Sequence, residues 1–299
     1  SLANTLAEIG ITRASLGVQD FDLKVQEAIG RVQPFDTVVS SVEHLRAAGI
    51  DALNFDLMYG LPEQTAETIR DSVAKTVELN PGRIALFGYA HVPWVSKRQQ
   101  LIPEDTLPRE MERHDLANHA ARRFSDAGFD AIGIDHFARP GDGLARAART
   151  GHLRRNFQGY TDDACATLIG LGASAISRLP TGYVQNAPAT AAYVQKIEAG
   201  QLAGARGHVM TGEDLLRARA IEMIMCDFRL DRRELKSGFG LLAATLDPII
   251  ASIAERFGNY VAMTDTAVEI RPAGRPLTRI IASAFDAHVP DGVRYSQAS

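Results

Sequence analysis

The chain has 299 residues, 45% of them apolar and 23% charged, with a net charge of -4 at pH 7. That length supports a substantial buried core, while the small net charge and the lack of a long basic run exclude a nucleic-acid surface or a membrane surface built on charge. No apolar run reaches the roughly 18 residues of a bilayer span and the start Ser1-Leu2-Ala3-Asn4 lacks a signal-peptide pattern, so the cytoplasm is the expected compartment.

Residues 2–9 are apolar at 2, 6 and 9 and stop at Gly10, which predicts a helix leading into the first strand. Short β-branched or aromatic runs predict strands over residues 14–19, 52–59, 83–90 and 131–136, with 173–177 as a fifth candidate. Helical spacing predicts helices over 37–48, 65–79 and 109–127, closed by Gly49, by Pro81-Gly82 and by Gly128. Such βα alternation implies parallel strands with right-handed crossovers. The expected fold class is therefore α/β, a partial, open parallel β/α barrel, since about five strands fall short of the eight of a closed one.

Beyond residue 200 the pattern turns helical. Thr211 and Asp214 make a capping-box start, and Leu216, Ala220, Met223 and Ile224 form one apolar face. Val261–Met263 and residues 268–270, joined through Thr264-Asp265-Thr266, predict a short hairpin before a last helix over 277–285. The expected division is a barrel part, 1–200, and a small mainly helical C-terminal domain, 201–299. A helix set with a hairpin is winged-helix-like, but Arg271, Arg275 and Arg279 are too few to neutralise a duplex.

Ligands of parallel βα folds sit at the carboxyl ends of the strands. There stand Gln19, Asp56, Tyr59, Ala90, His91, Asp135 and His136. Asp56 lies among apolar neighbours and needs a partner, either a loop amide or a ligand. Arg139 offers a guanidinium for a carboxylate, or pairs with Asp135 or Asp142. His91 and His136 permit a metal-dependent hydrolase reading, with no His-x-His spacing to support it. Cys165 and Cys226 are the two cysteines and read as small buried hydrophobes.

Five blocks then carry a resemblance: Gly17-Val18-Gln19-Asp20-Phe21, Asp56-Leu57-Met58-Tyr59-Gly60-Leu61-Pro62, Tyr89-Ala90-His91, Ile134-Asp135-His136-Phe137-Ala138-Arg139-Pro140 and Arg155-Asn156-Phe157-Gln158-Gly159-Tyr160. Together they resemble the oxygen-independent coproporphyrinogen III oxidases of the radical S-adenosylmethionine superfamily, over nearly the whole chain. The resemblance implies oxidative decarboxylation of two propionates of coproporphyrinogen III to give protoporphyrinogen IX, in haem and porphyrin biosynthesis. It also implies two S-adenosylmethionine molecules, a [4Fe-4S] cluster, an electron donor, and a C-terminal domain that acts as a lid. By the same resemblance Gln19, Arg31 on the helix after it, Asp56 and Ala90 contact the second cofactor molecule, Ile176 lines the adenine of the first, and Phe157 and Gln158 close over the second. Arg31 also has the plain reading of a surface helix residue. No catalytic residue or metal ligand is assigned.

That family opens with a Cys-x-x-x-Cys-x-x-Cys motif, which this chain lacks. The expectation is a fragment, inactive by itself, whose first strand has an unfilled outer edge that favours self-association, from a monomeric parent. The haem chaperones of the same superfamily, which bind haem without decarboxylating, are the alternative; the blocks at Phe137 and Arg155 match the oxidases better.

Overall fold

Leu53, Phe55 and Leu57 alternate with Asn54, Asp56 and Met58, and this period-two pattern organises the first sheet. The computed structural model describes residues 1–156 and 159–288. Two compact units result, Ser1–Thr150 and Gly151–Pro290. The boundary expected after residue 200 falls inside the second of these.

In the first unit the order is α1 (Leu2–Glu8), β1 (Arg13–Gln19), α2 (Leu23–Ala28), α3 (Phe35–Ala47), β2 (Ala52–Tyr59), α4 (Ala66–Leu79), β3 (Arg83–Gly88), α5 (Glu110–Asp126), β4 (Asp130–Ile132), β5 (His136–Ala138) and α6 (Gly143–Arg149). The sheet order is β1-β2-β3-β5-β4, with β1 at one edge. β1 to β3 run parallel, as the alternation predicts. The predicted strand over 131–136 is instead two short antiparallel strands, and β5 pairs antiparallel with β3. Gly133 is the cause: at φ 58° it takes a left-handed turn in the middle of that run.

One face of this sheet is apolar and covered. Val18, Leu53, Phe55, Leu57, Ile84 and Leu86 pack against Val38, Val42 and Leu45 of α3, Ile69 and Val73 of α4, and Leu116, Ala120 and Phe124 of α5. Apart from Ala120, each such side chain contributes about 1.5–3 kcal/mol of burial. The opposite face is set by strand register: Gly17 pairs with Asp56, Asp56 with Ala85, and Ala85 with His136. It is the polar face, and the candidate residues lie on it.

The second unit holds β6 (Arg154–Asn156), β7 (Gly159–Thr161), β8 (Ile176–Leu179), β9 (Gly182–Asn186), α7 (Thr190–Glu198), β10 (Gly204–Val209), α8 (Gly212–Asp227), β11 (Arg229–Asp231), α9 (Arg232–Phe239), α10 (Asp247–Phe257), β12 (Val261–Met263), β13 (Ala267–Ile270) and α11 (Thr278–Ser283). The fifth barrel-strand candidate, 173–177, is displaced: its place is taken by β8, in an antiparallel sheet of order β10-β9-β8. The expected hairpin is present and gains β11, giving the order β11-β13-β12. Thr211 and Asp214 do close a capping box, and Leu216, Ala220, Met223 and Ile224 are all buried.

One expectation fails here. An 18-residue window in the helical run Arg232–Phe257 reaches a mean hydropathy of 1.5, enough by length and composition to cross a membrane. The run is broken by a 3-10 stretch, Gly240–Leu246, and carries Asp247 and Pro248 at its centre. Its Leu235, Leu246, Ile250 and Ile253 are buried in the unit.

Candidate functional site

The polar face of the parallel strands gathers most of the predicted positions around Gly17. β1 ends in Gln19 at φ 68°, a left-handed conformation that costs a non-glycine residue about 1 kcal/mol or more, and the β1–β2 register shifts between Gly17 and Gln19. A Cβ on Gly17 would stand 3.0 Å from Gln19 Nε2 and 3.2 Å from Arg31 Nη2. Only glycine leaves both side chains that room. Arg31 Nη2 donates to Gly17 O at 2.7 Å. Arg31 does not lie on a helix, as expected from sequence, but in the turn after α2, which ends at Ala28 and is followed by Gly30 at φ 65°.

Asp56, the register partner of Gly17, is half-buried. Ser15 Oγ donates to its Oδ2 at 2.9 Å and Asn54 Nδ2 to its Oδ1 at 2.8 Å, with Asn54 Nδ2 also donating to Ser15 Oγ at 2.8 Å. Its partners are thus strand side chains rather than a loop amide. Each carboxylate oxygen keeps lone-pair capacity for a further donor. Sequence reasoning missed Ser15 and Asn54, although their period-two spacing with Gly17 and Asp56 in otherwise apolar strands carried the signal.

Ala90 lies two residues past the end of β3, and the strand predicted to reach it stops at Gly88. Its carbonyl accepts from Gln99 Nε2 at 3.0 Å, while Gln99 Oε1 accepts from Val92 N at 2.6 Å. One glutamine therefore fixes the loop that presents Ala90. Tyr89 N donates to Tyr59 O at 2.8 Å, tying the ends of β3 and β2 together. Gln19 and Ala90 thus stand at or just past the carboxyl ends of β1 and β3, with Arg31 held on Gly17 O and Asp56 beside Gly17 on β2. Ile176 is on β8 in the second unit. Phe157 and Gln158 lie outside the described residues.

Behind the site is a residue that sequence reasoning did not single out. Asp20 is fully buried: its Oδ1 accepts from Asp22 N at 2.7 Å and Ser72 Oγ at 2.8 Å, its Oδ2 from Gln64 Nε2 at 2.6 Å. Burial pushes its carboxyl above the ordinary range, and these donors pull it partly back. Gln64 in turn accepts from Gly60 N at 2.6 Å and donates to Met58 O at 2.9 Å. The carboxyl ends of β1 and β2 are locked to one another through this buried pair.

The other candidates make contacts within the protein. Arg139 donates to Ala127 O and Asn80 Oδ1, both at 2.7 Å, and stacks over Phe129 at 3.8 Å, rather than pairing with Asp135 or Asp142. His136 Nδ1 contacts Asp135 Oδ1 at 2.5 Å, whereas His91 faces Tyr89 at 3.2 Å and Glu104 at 3.7 Å. The two histidines share no acidic partner in these contacts. Ligand-type atoms do converge elsewhere, where His208, Asp214 and His288 of the second unit lie within 4.8 Å of one another. Cys165 is exposed rather than buried as expected, and Cys226 is buried.

Residues 1–75 match the Radical SAM superfamily. The chain is 55% identical over 295 residues to an oxygen-independent coproporphyrinogen III oxidase of Cereibacter sphaeroides, covering 98% of this chain and 65% of that protein. It is 50% identical to the enzyme of the same name from Paracoccus denitrificans, with 95% and 63% covered. The chain thus spans about 65% of the length of the first of these curated relatives. Among solved structures, the coproporphyrinogen III oxidase of Escherichia coli, described as a radical SAM enzyme, superposes with a TM-score of 0.87 at 34% identity, covering 96% of this chain and 67% of that one. The chain belongs to the coproporphyrinogen III oxidase family of radical SAM proteins.

Proposed function

We propose that this chain supplies the S-adenosylmethionine-holding and substrate-holding part of an oxygen-independent coproporphyrinogen III oxidase. The observation that carries the reading is the cradle at Gly17, where a Cβ would crowd Gln19 and Arg31 beside a carboxylate with hydrogen-bonding capacity to spare. Asp56 is suited to accept from ribose hydroxyls, because Ser15 and Asn54 already orient both of its oxygens. Gln19 offers an amide to the amino-acid end, and Arg31, held by Gly17 O, keeps N–H groups for a carboxylate. The Ala90 loop, pinned by Gln99, offers backbone groups at the same sheet end. Bound S-adenosylmethionine supplies a 5'-deoxyadenosyl radical source to enzymes of this class.

The [4Fe-4S] cluster of the family does not fit the residues of this chain. Clusters are held by several thiolates, and here one cysteine is exposed while the other is buried with its thiol pushed up to about 12. The reaction class supported for the whole enzyme is the decarboxylation of coproporphyrinogen III, with an electron donor and the cluster-bearing segment supplied from outside these residues. The parent is read as a cytoplasmic monomer.

Equilibrium dialysis with labelled S-adenosylmethionine tests the reading. Wild type should bind, and Asp56→Ala should bind about 10-fold or more weakly, the loss of hydrogen bonds worth roughly 1.5–3 kcal/mol when a charged group takes part. Equal affinity in the two proteins would overturn it.

A further inference from the structure

The second unit contains a cleft of about 240 Å³ that the proposed function does not use, and three arginines line it, Arg154, Arg155 and Arg178. Arg155 is the informative one. Its Nη1 is buried and, among the described residues, has no hydrogen-bond partner. A desolvated charged donor left unpaired is costly, and such an atom calls for a ligand or a structural reason. The surroundings make the position stiff: Arg155 pairs in register with Tyr160 across the β6–β7 ladder, and its guanidinium lies 4.8 Å over that ring. Tyr160 is itself anchored, its hydroxyl donating to Met225 O of α8 at 2.7 Å.

The acids that line the same cleft are engaged. Glu222 Oε2 accepts from Arg219 at 2.6 Å and its Oε1 faces Arg155 N at 3.4 Å, so the carboxylate meets the backbone and not Nη1. Asp163 Oδ1 accepts from Cys165 N at 2.8 Å, in the turn that forms one wall. The cleft thus presents three cations against two acids that already have donors of their own.

We propose that this cleft is a carboxylate-binding site, with Arg155 as its anchor, and that its ligand is a carboxylate arm of a tetrapyrrole; the tetrapyrrole identity rests on the function proposed above. A planar carboxylate matches the fork of a guanidinium and brings the acceptor that Nη1 lacks among the described residues.

The test uses three probes on the whole chain: glutarate, inorganic phosphate and coproporphyrin III, the last with its tetramethyl ester as the uncharged control. Fluorescence titration of wild type should show coproporphyrin III binding that weakens tenfold or more in Arg155→Gln and in Arg178→Gln, with the ester indifferent to both substitutions. Glutarate should raise the melting temperature of wild type more than of either variant. Arg178→Gln keeps the test open if the Arg155 variant fails to fold, and near-UV circular dichroism reports that. Glutarate stabilisation lost in the variants, without coproporphyrin III binding, would support the carboxylate site and overturn the tetrapyrrole ligand alone. Equal binding by wild type and both variants, or a response to phosphate only, would overturn the proposal.

Discussion

Asp20 and Gln64 stand 44 residues apart in sequence and 2.6 Å apart in space, and their contact fixes the strand ends on which the candidate site is built. Asp20 follows Gln19 directly and anchors β1, while Gln64 holds Gly60 and Met58 at the end of β2. The replacement Asp20→Asn is isosteric, yet it should destabilise by about 1–3 kcal/mol, because an amide nitrogen would face the Gln64 Nε2 donor. Gln64 cannot flip to accommodate it without reversing its bonds to Gly60 N and Met58 O. A shift of the urea midpoint at unchanged slope is the expected result; an unchanged midpoint would show that the lock is unimportant.

The same residue gives a pH dependence. Burial raises the folded-state carboxyl of Asp20 above its unfolded value of 3.8, so folding favours the protonated form. Its contribution is fully present below 3.8 and is lost as pH rises through the higher folded value. Asp20→Asn has no such dependence. The stability gap between wild type and variant should therefore narrow as the pH is raised above this range, measured as paired urea midpoints; a gap that widens would show that the donors outweigh burial.

The parallel core of the first unit was legible because apolar residues recur every second position in β2 and every third or fourth in α3, α4 and α5, and these periods survive in the packing. The run around Gly133 was not, since three residues on either side of a turn carry too little alternation to separate two strands from one. Of the site, Gln19 and Asp56 were readable as polar strand ends, and Arg31 came from the family resemblance. Asp20 escaped because a buried aspartate looks like a solvated one until the fold brings Gln64 and Ser72 to it. In the second unit the short strands β6 to β9 pair antiparallel with close neighbours, a pattern set by turns more than by period.

Gly17→Ala separates site from stability. The added methyl would meet the ends of two flexible side chains, Gln19 Nε2 at 3.0 Å and Arg31 Nη2 at 3.2 Å, and no backbone atom. The fold should adjust at a cost of about 1 kcal/mol or less by moving those groups, the kind of shift an overpacked but yielding contact allows. S-adenosylmethionine affinity should fall with them. Dialysis and urea titration on the same sample check both halves; loss of folding with intact binding would contradict the account.

Gly182 and Gly10 should respond differently to alanine although both have positive φ, 150° and 86°. At Gly182 the new Cβ would run into His208 O and sit 3.0 Å from Val209 Cα, backbone atoms of the paired strand β10 that cannot step aside. Strain and overlap together should cost about 3 kcal/mol or more. Gly10 has no atom within 4 Å of that position, so Gly10→Ala carries only the left-handed penalty of roughly 1–2 kcal/mol. Thermal or urea unfolding of the two variants should rank them in that order, and an equal loss would mean that β9 and β10 separate freely.

The two thiols should also part company. Cys226 is buried in α8 and its thiol is pushed up to about 12, first by burial and then by Glu222 and Asp227, so almost no thiolate forms at neutral pH. Cys165 is exposed, and its thiol is raised by the Asp163 carboxylate beside it. Titration with a disulfide reagent at pH 8 should therefore find one thiol in the native chain and the second only in denaturant. Neither thiol is matched to a cluster, so anaerobic treatment with iron and sulfide should leave the chain without the broad charge-transfer absorbance of four iron atoms held by thiolates. Two fast thiols, or a stoichiometric cluster, would require Cys226 to reach the surface by opening of α8.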